Sequence, residues 1–167
     1  MFLKTRRTFL KKTAFSTTAL VLPQTKLFAS VATLDTLALA QRDLYGDLKS
    51  APSFKEINSR AYLSLILTHS RVDEDAKKYI INGATWLEEE AKTLYAKSYI
   101  FLSSDERQKT LQSAATYKWG DAWIYEMLTF IYESVLGDPI YGINKESSGW
   151  NWLNHVSGLP RPKEPLL

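Results

Sequence analysis

Cysteine is absent from the 167 residues. Disulfides, thiolate zinc sites, iron–sulfur clusters and covalent c-type haem attachment are therefore excluded on this chain. Histidine occurs only at His69 and His155, and no paired-histidine metal motif is present. The seven glycines nowhere form a phosphate-cradling loop or a G-x-S-x-G nucleophile elbow, so nucleotide binding and hydrolysis find no support. No segment sustains the alternation of a half-buried strand, and there is no internal repeat or low-complexity linker. What remains is a chain with 45% hydrophobic residues, enough for one domain with a real core.

The formal charge of +3 is unevenly placed. Lys4, Arg6, Arg7, Lys11, Lys12 and Lys26 all precede the first acid, Asp35, and without them 15 basic residues face 18 acidic ones. The body is thus mildly acidic. It lacks the cationic footprint with which a nucleic-acid binder displaces counterions from phosphate, so nucleic acid is not an expected partner.

Residues 1–32 have the layout of an export signal: a basic stretch to Lys12, a short apolar run from Thr13 to Leu22, and a polar region from Pro23 to Ala29-Ser30-Val31-Ala32. The apolar run is shorter than the ~20 residues a membrane helix needs. Cleavage after Ala29 or after Ala32 satisfies the small-residue rule. Within the basic stretch, Arg6, Arg7, Phe9, Leu10 and Lys11 resemble the twin-arginine consensus, an address read by a translocase and not an anchor. An ordinary secretory signal or an amphipathic first helix is the alternative. The twin-arginine resemblance implies export of a folded protein, often with a travelling partner.

Residues 33–167 read as one all-α bundle of about five helices with an irregular, aromatic C-terminal cap. Leu34, Leu37, Ala38, Gln41, Leu44, Tyr45 and Leu48 form the first stripe. Ser53 and Glu56 have capping-box spacing and predict a second helix running through Leu67. Asp73-Glu74-Asp75 opens a third, with Ile80, Ala84, Leu87, Ala91 and Leu94 on one face to about Tyr99. Glu88, Glu89, Glu90 and Lys92 are expected on its wet side. Ser103 and Glu106 predict the cap of a fourth helix through Ala115. Trp119, Trp123, Met127 and Phe130, with Ile124, Leu128, Ile131 and Val135, predict a fifth, central helix.

Sites of chemistry are few. His69 and Asp73 lie four apart, as metal ligands on one helix face would, but Asp73 is better placed as a helix cap. His155 could ligate haem with Met127, contact a partner, or stand free in a loop. Tyr141, Trp150 and Trp152 are the aromatics left over once the stripes are assigned, and with His155 they suggest a free-standing periplasmic sugar- or haem-binding module as one possible function.

The densest segment is Leu136-Gly137-Asp138-Pro139-Ile140-Tyr141-Gly142-Ile143-Asn144, followed by Gly149-Trp150, His155 and Gly158-Leu159-Pro160-Arg161-Pro162. It resembles the terminal signature of the gluconate 2-dehydrogenase subunit 3 family. Phe101 to Arg107, the aromatic helix and the leader are also similar to that family. One departure is Ile143, where the family usually has a second glycine; a β-branched residue disfavours positive φ. The resemblance implies a non-catalytic small subunit, not itself an enzyme. Its implied partners are a large FAD-containing flavoprotein of the glucose-methanol-choline oxidoreductase type, a cytochrome c subunit carrying haem c, and the twin-arginine translocase. The implied location is the periplasm, with membrane association through the complex. No cofactor is expected on this chain. Asp138, Pro139, Tyr141, Gly142, Asn144, Gly149 and Trp150 are the expected partner-binding or capping motif.

Overall fold

A computed structural model describes residues 29–46 and 51–165; the twin-arginine residues Arg6, Arg7, Phe9, Leu10 and Lys11, and Leu48 of the first stripe, lie outside them. The fold is all-α, with no strand among the described residues. The helices are α1 (Val31–Tyr45), α2 (Phe54–Ile57), α3 (Ser59–Thr68), α4 (Glu74–Tyr95), α5 (Ser104–Ala115), α6 (Lys118–Leu136) and α7 (Ser148–Trp152). Among the described residues there are also three 3₁₀ turns, Tyr99–Phe101, Pro139–Tyr141 and Lys145–Ser147. Among the described residues no helix is long and apolar enough to cross a membrane.

Local chemistry explains most boundaries. Ser30 caps α1 by accepting from the Thr33 amide at 3.1 Å, so the expected division at residue 32 falls inside this helix. Asp73 accepts from the amides of Asp75 and Ala76 and caps α4. Ser103 and Glu106 form a reciprocal capping box at α5, with the Glu106 carboxylate 2.7 Å from the Ser103 amide and the Glu106 amide 3.3 Å from the Ser103 hydroxyl.

Two boundaries correct the sequence reading. The run from Ser53 to Leu67 is not one helix: Asn58 adopts the left-handed conformation (φ 51°) and breaks it into α2 and α3. Asn58 is suited to that position, because its short polar side chain tolerates αL; its Nδ2 then donates to the Gly142 carbonyl at 2.8 Å, tying the break to the C-terminal turn. The third predicted helix ends at Tyr95, not near Tyr99, because Ala96 is left-handed (φ 54°). Leu94, expected on the core face, is exposed in this last turn.

The core lies where α6 crosses its neighbours. It packs against α1, α3, α4 and α5 along its length and against α2 and α7, which bears out its central place. Trp123 and Met127 are wholly buried. Trp123 occupies a notch that only glycine allows, since a Cβ on Gly83 would stand 2.0 Å from the indole; its Nε1 donates to the Ile80 carbonyl.

The expected wet face of α4 is only partly wet. Glu89 is exposed, but Glu88 is half-buried, accepting from the Thr36 hydroxyl at 2.9 Å and from the Tyr99 amide at 3.0 Å, and Glu90 accepts from Ser113 at 2.6 Å. A buried backbone amide needs an acceptor, and Glu88 supplies it to the turn after α4.

Candidate functional site

The C-terminal signature is built on the end of α6. The last carbonyls of a helix have no intrahelical partner and must be satisfied from outside. Here the returning chain does so with side chains: the Trp150 indole N–H donates to the Leu136 carbonyl at 2.6 Å, and Asn144 Nδ2 donates to the Gly137 carbonyl at 2.9 Å. Asn144 is wholly buried and left-handed (φ 45°), and its Oδ1 accepts from the Gly149 amide at 2.7 Å. One amide thus binds two points of the chain. Gly149 must be glycine at this crossing, because a Cβ there would stand 1.9 Å from the Val135 carbonyl oxygen.

The other signature residues serve the same turn. Asp138 accepts from the Ile140 amide at 3.0 Å and pairs with Arg161 at 2.6 Å, while Pro139 and Tyr141 frame a 3₁₀ turn that ends on left-handed Gly142 (φ 77°). Ile143 has no positive φ and is buried, its side chain filling the space above Gly137. The isoleucine therefore does not disturb this turn; it fills a hole that a glycine would leave.

Arg161 closes the segment. It bonds Asp138, donates to the Ser157 hydroxyl at 2.8 Å and lies over the Trp150 ring at 4.6 Å, while His155 meets the same indole edge-on at 5.3 Å. Arg161 thereby covers one face of the Trp150 ring. Nor does the structure bring His155 and Met127 together as haem ligands: Met127 is sealed in the core, about 13 Å along α6 from Leu136, whereas His155 stands exposed. His69 Nδ1 accepts from the Arg71 amide, and Asp73 Oδ1 accepts from the two amides that it caps. Among the described residues no group of three or more His, Asp or Glu side chains gathers where a metal could be held.

Sequence reading missed a buried ion pair linking α1 to α5. Asp43 accepts from Arg107 Nε and Nη2 at 2.6 and 3.1 Å and from the Tyr99 hydroxyl at 2.8 Å, and Arg107 Nη1 donates to the Leu102 carbonyl. Burial, then the adjacent Asp43 carboxylate, pushes the Tyr99 phenol well above the ordinary tyrosine range. Bonding to Asp43 raises Arg107. A small cleft of about 200 Å³ between α1 and α4 holds Thr36, Glu88 and Lys92, but the Glu88 oxygens facing its neighbours are already bonded.

The chain matches no protein-family model, no curated protein and no solved structure.

The bond from Trp150 to Leu136 is testable by itself. Trp150→Phe keeps a ring beneath Arg161 but leaves the carbonyl without its donor. It is expected to cost about 1 kcal/mol in urea unfolding, the net worth of one such bond; an unchanged midpoint would show that water replaces the indole.

Proposed function

We propose that this chain is the non-catalytic small subunit of a periplasmic, flavin-dependent, gluconate-type dehydrogenase complex, supporting maturation and twin-arginine export of the catalytic flavoprotein. The observation that carries the reading is the unity of the signature. The residues that resemble the gluconate 2-dehydrogenase subunit 3 family are bound to one another through Asn144, Trp150 and Arg161 at the end of the central helix. They are a constructed element and not a tail. In this reading FAD belongs to the large glucose-methanol-choline-type subunit, haem c to a cytochrome subunit that passes electrons onward, and membrane association to the complex as a whole. The mildly acidic body and the basic leader fit a protein whose cationic charge serves export.

The test is made on the leader. With Arg6 and Arg7 both replaced by lysine, periplasmic flavoprotein is expected to fall by an order of magnitude or more while its cytoplasmic pool persists, because the translocase reads the arginine pair. Fractionation followed by flavin fluorescence measures both. A flavoprotein that still reaches the periplasm in full would overturn shared export.

A further inference from the structure

The basic leader and the helical body meet around two small residues, Ala29 and Ala32, and by sequence either could be the last residue of the leader. The structure treats the two bonds that follow them differently. The Ala32–Thr33 bond lies inside the first turn of α1. Val31 opens the helix, the Thr33 amide is held by the Ser30 hydroxyl at 3.1 Å, the hydroxyls of Ser30 and Thr33 meet at 2.8 Å, and the Leu34 amide donates to the Ser30 carbonyl at 3.0 Å. The helix is fastened just beyond this turn by Asp35 to Arg60 and by the Thr36 hydroxyl to Glu88 at 2.9 Å. Ala32 and Thr33 themselves line the cleft against α4. The Ala29–Ser30 bond lies outside the helix. Ser30 is exposed and extended (φ −63°, ψ 158°), and among the described residues no backbone hydrogen bond involves Ala29.

A peptidase takes its substrate as an extended strand, so a bond within a helix becomes available only when that helix opens. For Ala32–Thr33 the opening must undo the cap and the first turn of α1. For Ala29–Ser30 the residue after the bond is already extended. The products differ in the same direction. A cut after Ala32 removes Ser30, and α1 loses the side chain that caps it. A cut after Ala29 leaves Ser30 as the first residue of the body with its cap intact, and gives up one half-buried methyl that packs against the core.

We propose that the Ala29–Ser30 peptide bond is the processing site at which the leader is removed, and that the capped first turn of α1 protects the Ala32–Thr33 bond. This rests on the export reading above, because a protein that crosses the membrane folded presents α1 to the peptidase already formed. The step is a hydrolysis: water adds across the Ala29–Ser30 amide, leaving a carboxylate on Ala29 and an ammonium on Ser30.

The test uses the full chain with a C-terminal tag, expressed in its native cells, the periplasmic fraction being read by intact mass and N-terminal sequencing. A chain beginning at Ser30 is expected. One beginning at Thr33, or the two in comparable amounts, would overturn the proposal while the export reading stands, and so would a periplasmic chain that still carries Arg6 and Arg7. If no chain reaches the periplasm, both fall. Ser30→Ala tests the protection itself. Alanine is as small as serine at the third residue before the Ala32–Thr33 bond, so the fit of the sequence to the peptidase is little changed, but α1 loses its cap. Product beginning at Thr33 is expected to rise about fivefold over wild type, the change in local opening that loss of a serine cap produces. An unchanged ratio of products would show that α1 does not shield the bond, and would overturn the protection proposed for it.

Discussion

Asp43→Ala is expected to remove about 3–5 kcal/mol of folding stability, the usual result of deleting one partner of a buried ion pair. The Asp43 and Arg107 side chains are only 5% and 13% exposed, so solvent does little to screen the charge left behind. The deletion strands the guanidinium and the Tyr99 hydroxyl together, while the bond from Arg107 to the Leu102 carbonyl cannot neutralise the cation. Against a total of about 5–15 kcal/mol for a typical domain, this is a large share. Urea unfolding followed by circular dichroism measures it, with Asp43→Asn as the control: the amide oxygen still accepts one bond, so its loss should be smaller. A cost below about 1 kcal/mol for the alanine would mean that the pair behaves as a surface salt bridge.

The same cluster gives a pH dependence of definite sign. The folded Tyr99 phenol titrates above the unfolded value of 10.0, by burial first and Asp43 second. Its contribution is therefore fully present below pH 10.0 and is lost as pH rises past it towards the folded value. Tyr99→Phe removes the titrating group and should flatten the alkaline fall in stability; an equally steep fall in the variant would assign that fall to other groups. Tyr62, raised by burial and by its bond to Glu133, adds to the same alkaline fall with the same sign, and Tyr62→Phe separates its share.

This ion pair also marks where sequence reading stops. Asp73, the Ser103–Glu106 box and the apolar spacing of α6 were legible because each signal is complete within a few residues, and a cap or a stripe needs nothing from the rest of the chain. Asp43 and Arg107 are 64 residues apart, and nothing local tells an acid that will meet an arginine from one that will meet water. Glu88 is the same case: helical spacing places it beside Glu89 and Glu90 on an outer face, but the Tyr99 amide, orphaned by the turn after α4, draws its carboxylate inward. The break at Asn58 was hidden for a related reason, since an asparagine in an apolar-periodic run costs little in a helix and declares itself only when the Gly142 carbonyl arrives to bind it. At the C-terminus the density of turn residues was legible. That its tryptophan and asparagine would serve the open carbonyls of α6 was not, because the residue types of a turn do not reveal which backbone groups they will face.

Asn144→Ala is the second large effect, expected at about 2–6 kcal/mol from two backbone groups, one buried and one partly buried, left without partners, at about 1–3 kcal/mol each when unsatisfied. The Gly137 carbonyl would lose its donor and the Gly149 amide its acceptor in a single substitution. Alanine also pays for φ 45°, where asparagine is among the few tolerant residues. Asn144→Gly separates the two terms: glycine relieves the backbone yet restores neither bond, so it should recover only the smaller, conformational part. Asn144→Asp keeps an acceptor for Gly149 but turns an anion towards the Gly137 carbonyl, and should be no better than alanine. The readout that distinguishes release of the C-terminal element from general unfolding is hydrogen exchange at the Trp150 indole and the Gly149 amide, compared with the Trp123 indole in the core. Faster exchange at the first two, with Trp123 still protected, means that α7 and the loop beyond it have come away from α6 while the bundle holds. Equal acceleration at all three sites would show instead that Asn144 is part of the global fold, and that the C-terminal loop cannot be released without unfolding the whole.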